Sequence, residues 1–327
     1  MAPATVIDGS MRSRSGFTTL LLDCDNTLAL TEEHAFAATS QTINTLLKDF
    51  RIRPSRSTVG DDDDDDQQQQ QQQQLTESAL DALDAIHRNQ HGADDLASDA
   101  RSSTSSSSAD QYQTYSSPSL LADYIGLPFR QILTSITSKH GISLSLSQLA
   151  HYIALEEQNV NTQITLHSPA APGILSTLQT LSKSHHFTHA AVVSSSRLTR
   201  VRTALTKAGL YPDPFPDSSL YSAHDSLPRP EHKPSPAIYL YALEKLGVSA
   251  AECVAVEDSL SGCLAAVNAG IACVGYVGAY HDPGKRDVMA GVLKARGAVA
   301  VIGRWDEFED VVKGLEDEMV GGGIGEG

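Results

Sequence analysis

The stretch Phe17-Thr18-Thr19-Leu20-Leu21-Leu22-Asp23 is short, apolar and partly β-branched, which predicts a buried strand over 17–23. Four later runs carry the same pattern: 189–193 (HAAVV), 253–257 (CVAVE), 271–277 (IACVGYV) and 298–303 (AVAVIG). Between them the pattern lengthens to that of helices, over 197–210, 234–247, 259–270 and 287–297, with a closing helix over 305–319. The segment 234–247 is the best marked: Ser235 serves as a cap, Pro236 suits the first turn and Gly247 stops the helix. Strands alternating with helices predict an α/β fold built on a doubly wound parallel sheet.

The interval between the first strand and the second reads differently. Residues 32–50 place Phe36, Ile43, Leu46, Leu47 and Phe50 at helical spacing, helical patterns continue through 120–141 and 146–166, and nothing from 32 to 168 is rich in strand formers. That block is helical, with an insertion at about 52–118 whose stretches 53–74 and 98–119 are low-complexity runs of Asp, Gln and Ser. Such sequence cannot bury enough apolar surface to offset the entropy of ordering. Within it, 75–88 aligns Leu80, Leu83 and Ile86 along one face as a short, marginal helix. Residues 1–15 read as a disordered arm and 320–327 as a flexible, glycine-rich tail. The α/β core then comprises 16–31 and 169–319.

Charge narrows the partners. The chain of 327 residues carries a formal charge of −16, six of it in the run Asp61 to Asp66. A field of this sign repels nucleic acid and anionic membranes. It repels phosphate too, so a phosphate site must be locally positive. The four cysteines, Cys24, Cys253, Cys263 and Cys273, form no C-x-x-C pair and sit mostly in apolar or small-residue runs. Buried free thiols in a reduced, cytoplasmic protein are the expectation. No apolar run approaches the ~20 residues that span a bilayer, and the N-terminus lacks the apolar region of a secretory signal. The acidic, serine-rich insertion fits a monomer better than a large apolar interface.

In a doubly wound sheet, ligands bind beyond the carboxyl ends of the strands. The first end supplies Asp23 and Asp25, which point the same way because they are two apart on an extended chain. Asn26 follows at the turn and tolerates a left-handed backbone. The second end supplies Ser194, followed by Ser195, ahead of a helix N-terminus that suits an anion. Lys233, kept extended by Pro234, is the third feature. Glu257 and Asp258 close the run CVAV as the fourth. Each alone also fits ordinary capping or a solvated side chain. Together they converge on one rim, where several carboxylates need a cation, and oxygen donors in that number suit Mg²⁺. Mg²⁺ in turn favours a phosphoryl group, whose other oxygens Lys233 and Ser194 would hold.

These residues, in this order, resemble the haloacid dehalogenase superfamily, specifically its phosphatase and β-phosphoglucomutase-like branch. The family's Asp-x-Asp-x-Thr motif is similar to Asp23-Cys24-Asp25-Asn26-Thr27, with Asn26 where Gly is commoner. Ser194, Lys233 and the stretch VEDSLSGCLAAVNAG match its remaining motifs. The resemblance implies a Rossmann-like core with an inserted all-helical cap over 32–168. It implies Asp23 as the nucleophile that becomes an aspartyl-phosphate, and Asp25 as the general acid and base. It implies a Mg²⁺ site of Asp23, Asp25 (through its backbone carbonyl), Glu257 and Asp258. Asn26, Thr27 and Ser195 would line the substrate site. A cap loop of the family, G-x-x-x-R, resembles YIGLPFR and makes Gly126 and Arg130 specificity candidates. The expected substrate is a small phosphorylated metabolite, a sugar or polyol phosphate. A sugar-phosphate mutase uses the same core, and a non-catalytic protein acting through the Gln/Ser-rich insertion is the reading from another class. A true dehalogenase would need neither the second aspartate nor a magnesium site.

Overall fold

A computed structural model describes residues 16–54, 112–124, 127–184 and 186–321. The arm 1–15, most of the insertion including 75–88, Gly126 and the tail from 322 lie outside the described residues.

Six parallel strands form one sheet in the order β3-β2-β1-β4-β5-β6. They are β1 (Thr19–Leu22), β2 (His189–Ser194), β3 (Leu220–Ser222), β4 (Cys253–Glu257), β5 (Ala272–Tyr276) and β6 (Ala300–Ile302). β1 lies centrally, with Leu22 level with Val192 on one side and Val256 on the other. Its four residues are all buried, as a strand covered on both faces must be. Leu20 and Leu22 enter one apolar layer with Val192, Val256 and Trp305. Leu21 enters the opposite layer with Ala191, Val193, Ile238 and Tyr239. Strand direction and layering make this the doubly wound α/β sheet that the pattern predicts.

Helices α1 (Glu32–Asp49), α2 (Ser117–Tyr124), α3 (Phe129–Lys139) and α4 (Leu146–His167) are the described helices of the block 32–168 between β1 and β2. Phe36, Ile43, Leu46, Leu47, Leu120, Ile132, Leu133, Ile136 and Tyr152 bury one another in an apolar cluster separate from the sheet. The run 120–141 is two helices, the second capped at Pro128, where a preceding α conformation is disfavoured. The described residues resume at 112, inside the stretch 98–119. Ser117 opens α2, and Tyr115 is pinned to α1 by Asn44, which accepts its N–H at 2.8 Å.

The remaining helices are α5 (Ile174–Ser184), α6 (Leu198–Lys207), α7 (Ala237–Leu246), α8 (Leu260–Asn268), α9 (Pro283–Ala295) and α10 (Phe308–Gly321). Two elements escape the sequence pattern. β3 is only three residues at the sheet edge, and α5 is a short helix just before β2. α9 starts four residues earlier than its apolar spacing suggests, because Asp282 caps it by accepting the Lys285 N–H at 2.8 Å and Pro283 occupies the first turn. At α7, Pro236 holds the cap position, Ser235 accepts the Ala237 N–H at 3.3 Å, and Gly247 ends the helix with φ 67°. All four cysteines are buried and free. Among the described residues no helix is long and apolar enough to cross a membrane.

Candidate active site

The loop leaving β1 is folded tightly. Leu28 and Ala29 both donate to the Cys24 carbonyl, at 3.0 and 3.1 Å. Asn26 takes the left-handed backbone expected of it, φ 56°. Leu30 N donates to the Pro169 carbonyl and Ala171 N to the Leu28 carbonyl, both at 2.9 Å, so the exit to the helical block and the return from it are clamped together. Trp305, fully buried, donates from Nε1 to the Thr27 carbonyl at 3.2 Å and fastens the loop to the far end of the sheet.

Asp23 is the first residue beyond β1, and its N–H donates to the Val256 carbonyl at 3.1 Å. Continued parallel register sets Asp23 beside Glu257, the last residue of β4. Lys233 reaches between them. Its Nζ donates to Asp23 Oδ1 at 2.6 Å, Glu257 Oε1 at 2.7 Å and the Val193 carbonyl at 2.8 Å. The lysine side chain is 4% exposed, that of Asp23 10% and that of Glu257 0%, so these charges act with little solvent screening. Burial alone would lower the lysine pKa; Asp23 and Glu257 outweigh it and raise the value. Glu257 also accepts from the Tyr239 hydroxyl on α7. Burial first, then Asp23, push the Glu257 carboxyl up to about 7, against the pull of Lys233. Asp258 is pushed well above its ordinary value by burial and then by Asp23, Glu257 and Glu32. Ser259 accepts the Gly262 N–H at 3.1 Å and caps α8, which leaves Asp258 free of that task.

Asp23, Glu257 and Asp258 each offer an oxygen within 4.8 Å of the others. Glu257 Oε2 is buried and has no hydrogen-bond partner among the described residues. Three converging carboxylates with an orphaned oxygen and raised pKa values are a set short of positive charge, and a hard divalent cation fits it. Gly262 keeps the space open, since a Cβ there would overlap the Glu257 carboxylate.

Asp25 faces elsewhere. Its Oδ1 accepts from Thr31 Oγ1 at 2.5 Å and Arg200 Nη2 at 3.0 Å, and its Oδ2 accepts from Ser196 Oγ at 2.7 Å. Burial would raise its pKa, but Arg200 and the hydroxyl donors outweigh burial and hold the carboxyl below its ordinary value.

The other expected positions divide. Ser194 is buried beside β3 and accepts the Ser196 N–H at 3.0 Å. Ser195 Oγ accepts the Lys233 N–H at 3.2 Å and so steadies the lysine backbone. Asn26 accepts the N–H groups of Thr31 and Glu32, both at 3.2 Å, capping α1, and donates to Glu32 Oε2 at 3.1 Å. Thr27 Oγ1 is buried without a partner among the described residues. Arg130 is exposed at the start of α3, and its carbonyl accepts from Thr134 Oγ1; its side chain is not brought to the cluster. Gly126 lies outside the described residues.

Three contributors, Arg200, Thr31 and Tyr239, are not marked by the strand ends, whereas Ser196 belongs to the serine run ahead of the α6 N-terminus. Ser196 and Arg200 are four apart across the start of α6, the spacing that aligns side chains on one helix face. That spacing was a usable signal in SSSRLTR.

Comparison with known proteins places the family and the fold. A family model for haloacid dehalogenase-like hydrolases matches residues 17–270. A haloacid dehalogenase-like hydrolase domain-containing protein of Arabidopsis thaliana is 48% identical over 61 residues, 18% of this chain and 19% of that one. The candidate phosphatase YhcW of Bacillus subtilis is 42% identical over 83 residues, 25% of this chain and 35% of YhcW. The aligned stretches thus span no more than about a third of these curated relatives. A solved haloacid dehalogenase-like protein of unknown function from Agrobacterium tumefaciens shares the fold, with TM-score 0.54 and 23% identity over 92% of this chain and 99% of the other. Because the family match runs over residues 17–270, well over half of the chain, the chain belongs to the haloacid dehalogenase-like hydrolases.

Proposed function

We propose that the protein is a Mg²⁺-dependent phosphatase of a small phosphorylated metabolite, in the sugar or polyol phosphate class. The observation that carries this reading is the buried group Asp23–Lys233–Glu257–Asp258, one cation among three carboxylates at the carboxyl end of a parallel sheet. Asp23, Glu257, Asp258 and the Asp25 carbonyl would hold the metal, which when bound supplies charge neutralisation for the phosphoryl oxygens.

The chain's own residues do the rest. An Asp23 carboxylate oxygen attacks phosphorus, the bond from phosphorus to the leaving oxygen breaks, and an aspartyl-phosphate forms on Asp23. Asp25 gives its proton to the leaving oxygen, then takes one from the water that attacks phosphorus and releases Asp23 and inorganic phosphate. Lys233 holds Asp23 in line and balances charge on the phosphoryl oxygens, with Ser194 beside it. The helices α1–α4 act as a cap over this rim, excluding water and selecting the leaving group; Arg130 and Gly126 are the cap candidates for that selection. Four buried free thiols suit a reducing compartment such as the cytoplasm.

The test is phosphate release from p-nitrophenyl phosphate and from a panel of sugar and polyol phosphates including 6-phosphogluconate, with and without Mg²⁺. Wild type is expected to be active only with the metal, and Asp23→Asn inactive. No release across the panel overturns the phosphatase reading, and equal activity in Asp23→Asn removes Asp23 as nucleophile.

A further inference from the structure

Arg200 stands where the cap meets the core. It lies in the first turn of α6, and one nitrogen, Nη2, is engaged with Asp25. A guanidinium carries five N–H donors in a planar fork, so one bond leaves it under-used. Its Nε is buried and has no hydrogen-bond partner among the described residues. The anion next in range is Glu156 on the cap helix α4, whose charge acts on Arg200 from across the interface. Glu156 is half-buried and accepts from Thr39 Oγ1 of α1 at 3.1 Å. One helical turn earlier the arrangement repeats with its bond made: Arg197 Nε meets Glu157 Oε1 at 3.3 Å. Two consecutive acids of the cap therefore face two arginines of the core. One of those arginines also holds the carboxylate that must carry a proton.

Asp25 is fully committed in this arrangement. Thr31, Ser196 and Arg200 take both of its oxygens, so it must leave that cradle to meet a leaving oxygen beside Asp23. We propose that Arg200 is a positioning residue shared between Asp25 and the cap's Glu156. With α4 where it stands, Arg200 keeps Asp25 in the cradle. A closer approach of α4 engages the free Nε with Glu156, loosens the bond to Asp25, and lets that side chain turn toward the substrate. Cap closure and the availability of the proton carrier are then one event. The planar fork matters, because it can bridge two carboxylates where a lysine presents a single point of charge. The proposal rests on the phosphatase reading and adds to it a residue that touches neither substrate nor metal.

The test is a double-mutant cycle on the full-length protein with p-nitrophenyl phosphate and Mg²⁺, using Glu156→Gln, Arg200→Met, Arg200→Lys and the pair Glu156→Gln with Arg200→Met. Glu156→Gln is expected to lower kcat about fivefold or more while KM stays within about twofold, since only the step that frees Asp25 is affected. In the Arg200→Met background the same change is expected to have no further effect. Arg200→Lys is expected to recover part of the kcat that Arg200→Met loses. An unchanged kcat in Glu156→Gln, or an equal fall in both backgrounds, overturns the proposal. If Arg200→Met does not fold, Arg200→Lys replaces it in the cycle, where the Glu156→Gln effect must shrink. Failure of the phosphatase reading shows separately, as an inactive wild type. In that case hydrogen exchange on the metal-free protein decides: Arg200→Met, or Arg200→Lys in its place, must speed exchange in peptides covering Asp25 and in those covering Glu156. Acceleration confined to one of them overturns the link.

Discussion

Lys233→Met removes the cation bonded to both Asp23 and Glu257 while keeping most of the side chain's volume. Three acceptors lose their donor, at 2.6, 2.7 and 2.8 Å, in a place where the lysine side chain is 4% exposed. Removing one partner of a buried charge pair costs about 3–5 kcal/mol, because the remaining charge is left uncompensated. The protein has one route of relief, which is to bind a proton. Glu257, with its pKa already raised to about 7 while Lys233 is present, is the group closest to doing so. Without the lysine its pKa rises further, and the folded variant holds a proton at pH values where the folded wild type does not. Stability of the variant relative to wild type therefore falls as pH rises. One proton retained is worth about 1.4 kcal/mol per pH unit, and wild type gives it up only above about pH 7, so the loss at pH 8 should exceed that at pH 6 by about 1 kcal/mol. For a chain of this size, 1 kcal/mol moves Tm by about 2–4 °C, so the pH 8 loss is roughly 6–20 °C. Scanning calorimetry in EDTA at the two pH values measures it. Millimolar Mg²⁺ should narrow the gap by restoring positive charge among the carboxylates. A variant within about 1 kcal/mol of wild type at pH 8, or one that loses more at pH 6 than at pH 8, would refute this account of how the site is held together.

Three further outcomes follow from the same geometry. Tyr239→Phe removes the hydroxyl that donates to Glu257 and is expected to cost about 1.5–3 kcal/mol and to reduce the Mg²⁺-induced rise in Tm. An unaltered Tm would show that this bond contributes nothing. Gly262→Ala drives a Cβ into the Glu257 carboxylate and should destabilise by about 1–3 kcal/mol or more, whereas Gly314→Ala on α10, with open space around it, should stay within about 0.5 kcal/mol of wild type or gain stability. Equal effects at the two glycines would refute the steric reading. In the metal-free protein the folded pKa of Glu257, about 7, exceeds its ordinary 4.5, so its contribution is present below pH 4.5 and is lost as pH rises through about 7. Metal ligands must be deprotonated, so the rise in Tm on adding Mg²⁺ should be larger at pH 8 than at pH 6; the reverse order in a thermal-shift series would contradict the assignment of these carboxylates.

How much of this was legible in the sequence depends on how local each signal is. β1, β2, β4 and β5 are apolar runs that lead into a charged or hydroxyl residue or a turn, so composition marks the strand and, for the first three, the residue that ends or follows it marks the rim. Asp23, Ser194, Glu257 and Asp258 were visible for that reason. Lys233 was visible because the proline after it limits the backbone. β3 offers only Leu-Tyr-Ser at an edge, too short for any period to register. Tyr239 carries no such mark and Arg200 only its four-residue spacing from Ser196, since a helix's side chains reach the rim only through its rotation against the sheet, which tertiary packing decides. Arg130 shows the converse: a motif spacing drew attention to it, and the fold leaves it exposed at the start of α3. Strand ends announce where chemistry can occur, while the helices decide which side chains hold its carboxylates. Asp23 and Asp25, two residues apart on one strand exit, make the point. Their spacing alone points them the same way, and the structure divides them, giving Asp23 to the buried cluster through Lys233 and Asp25 to Arg200 of α6.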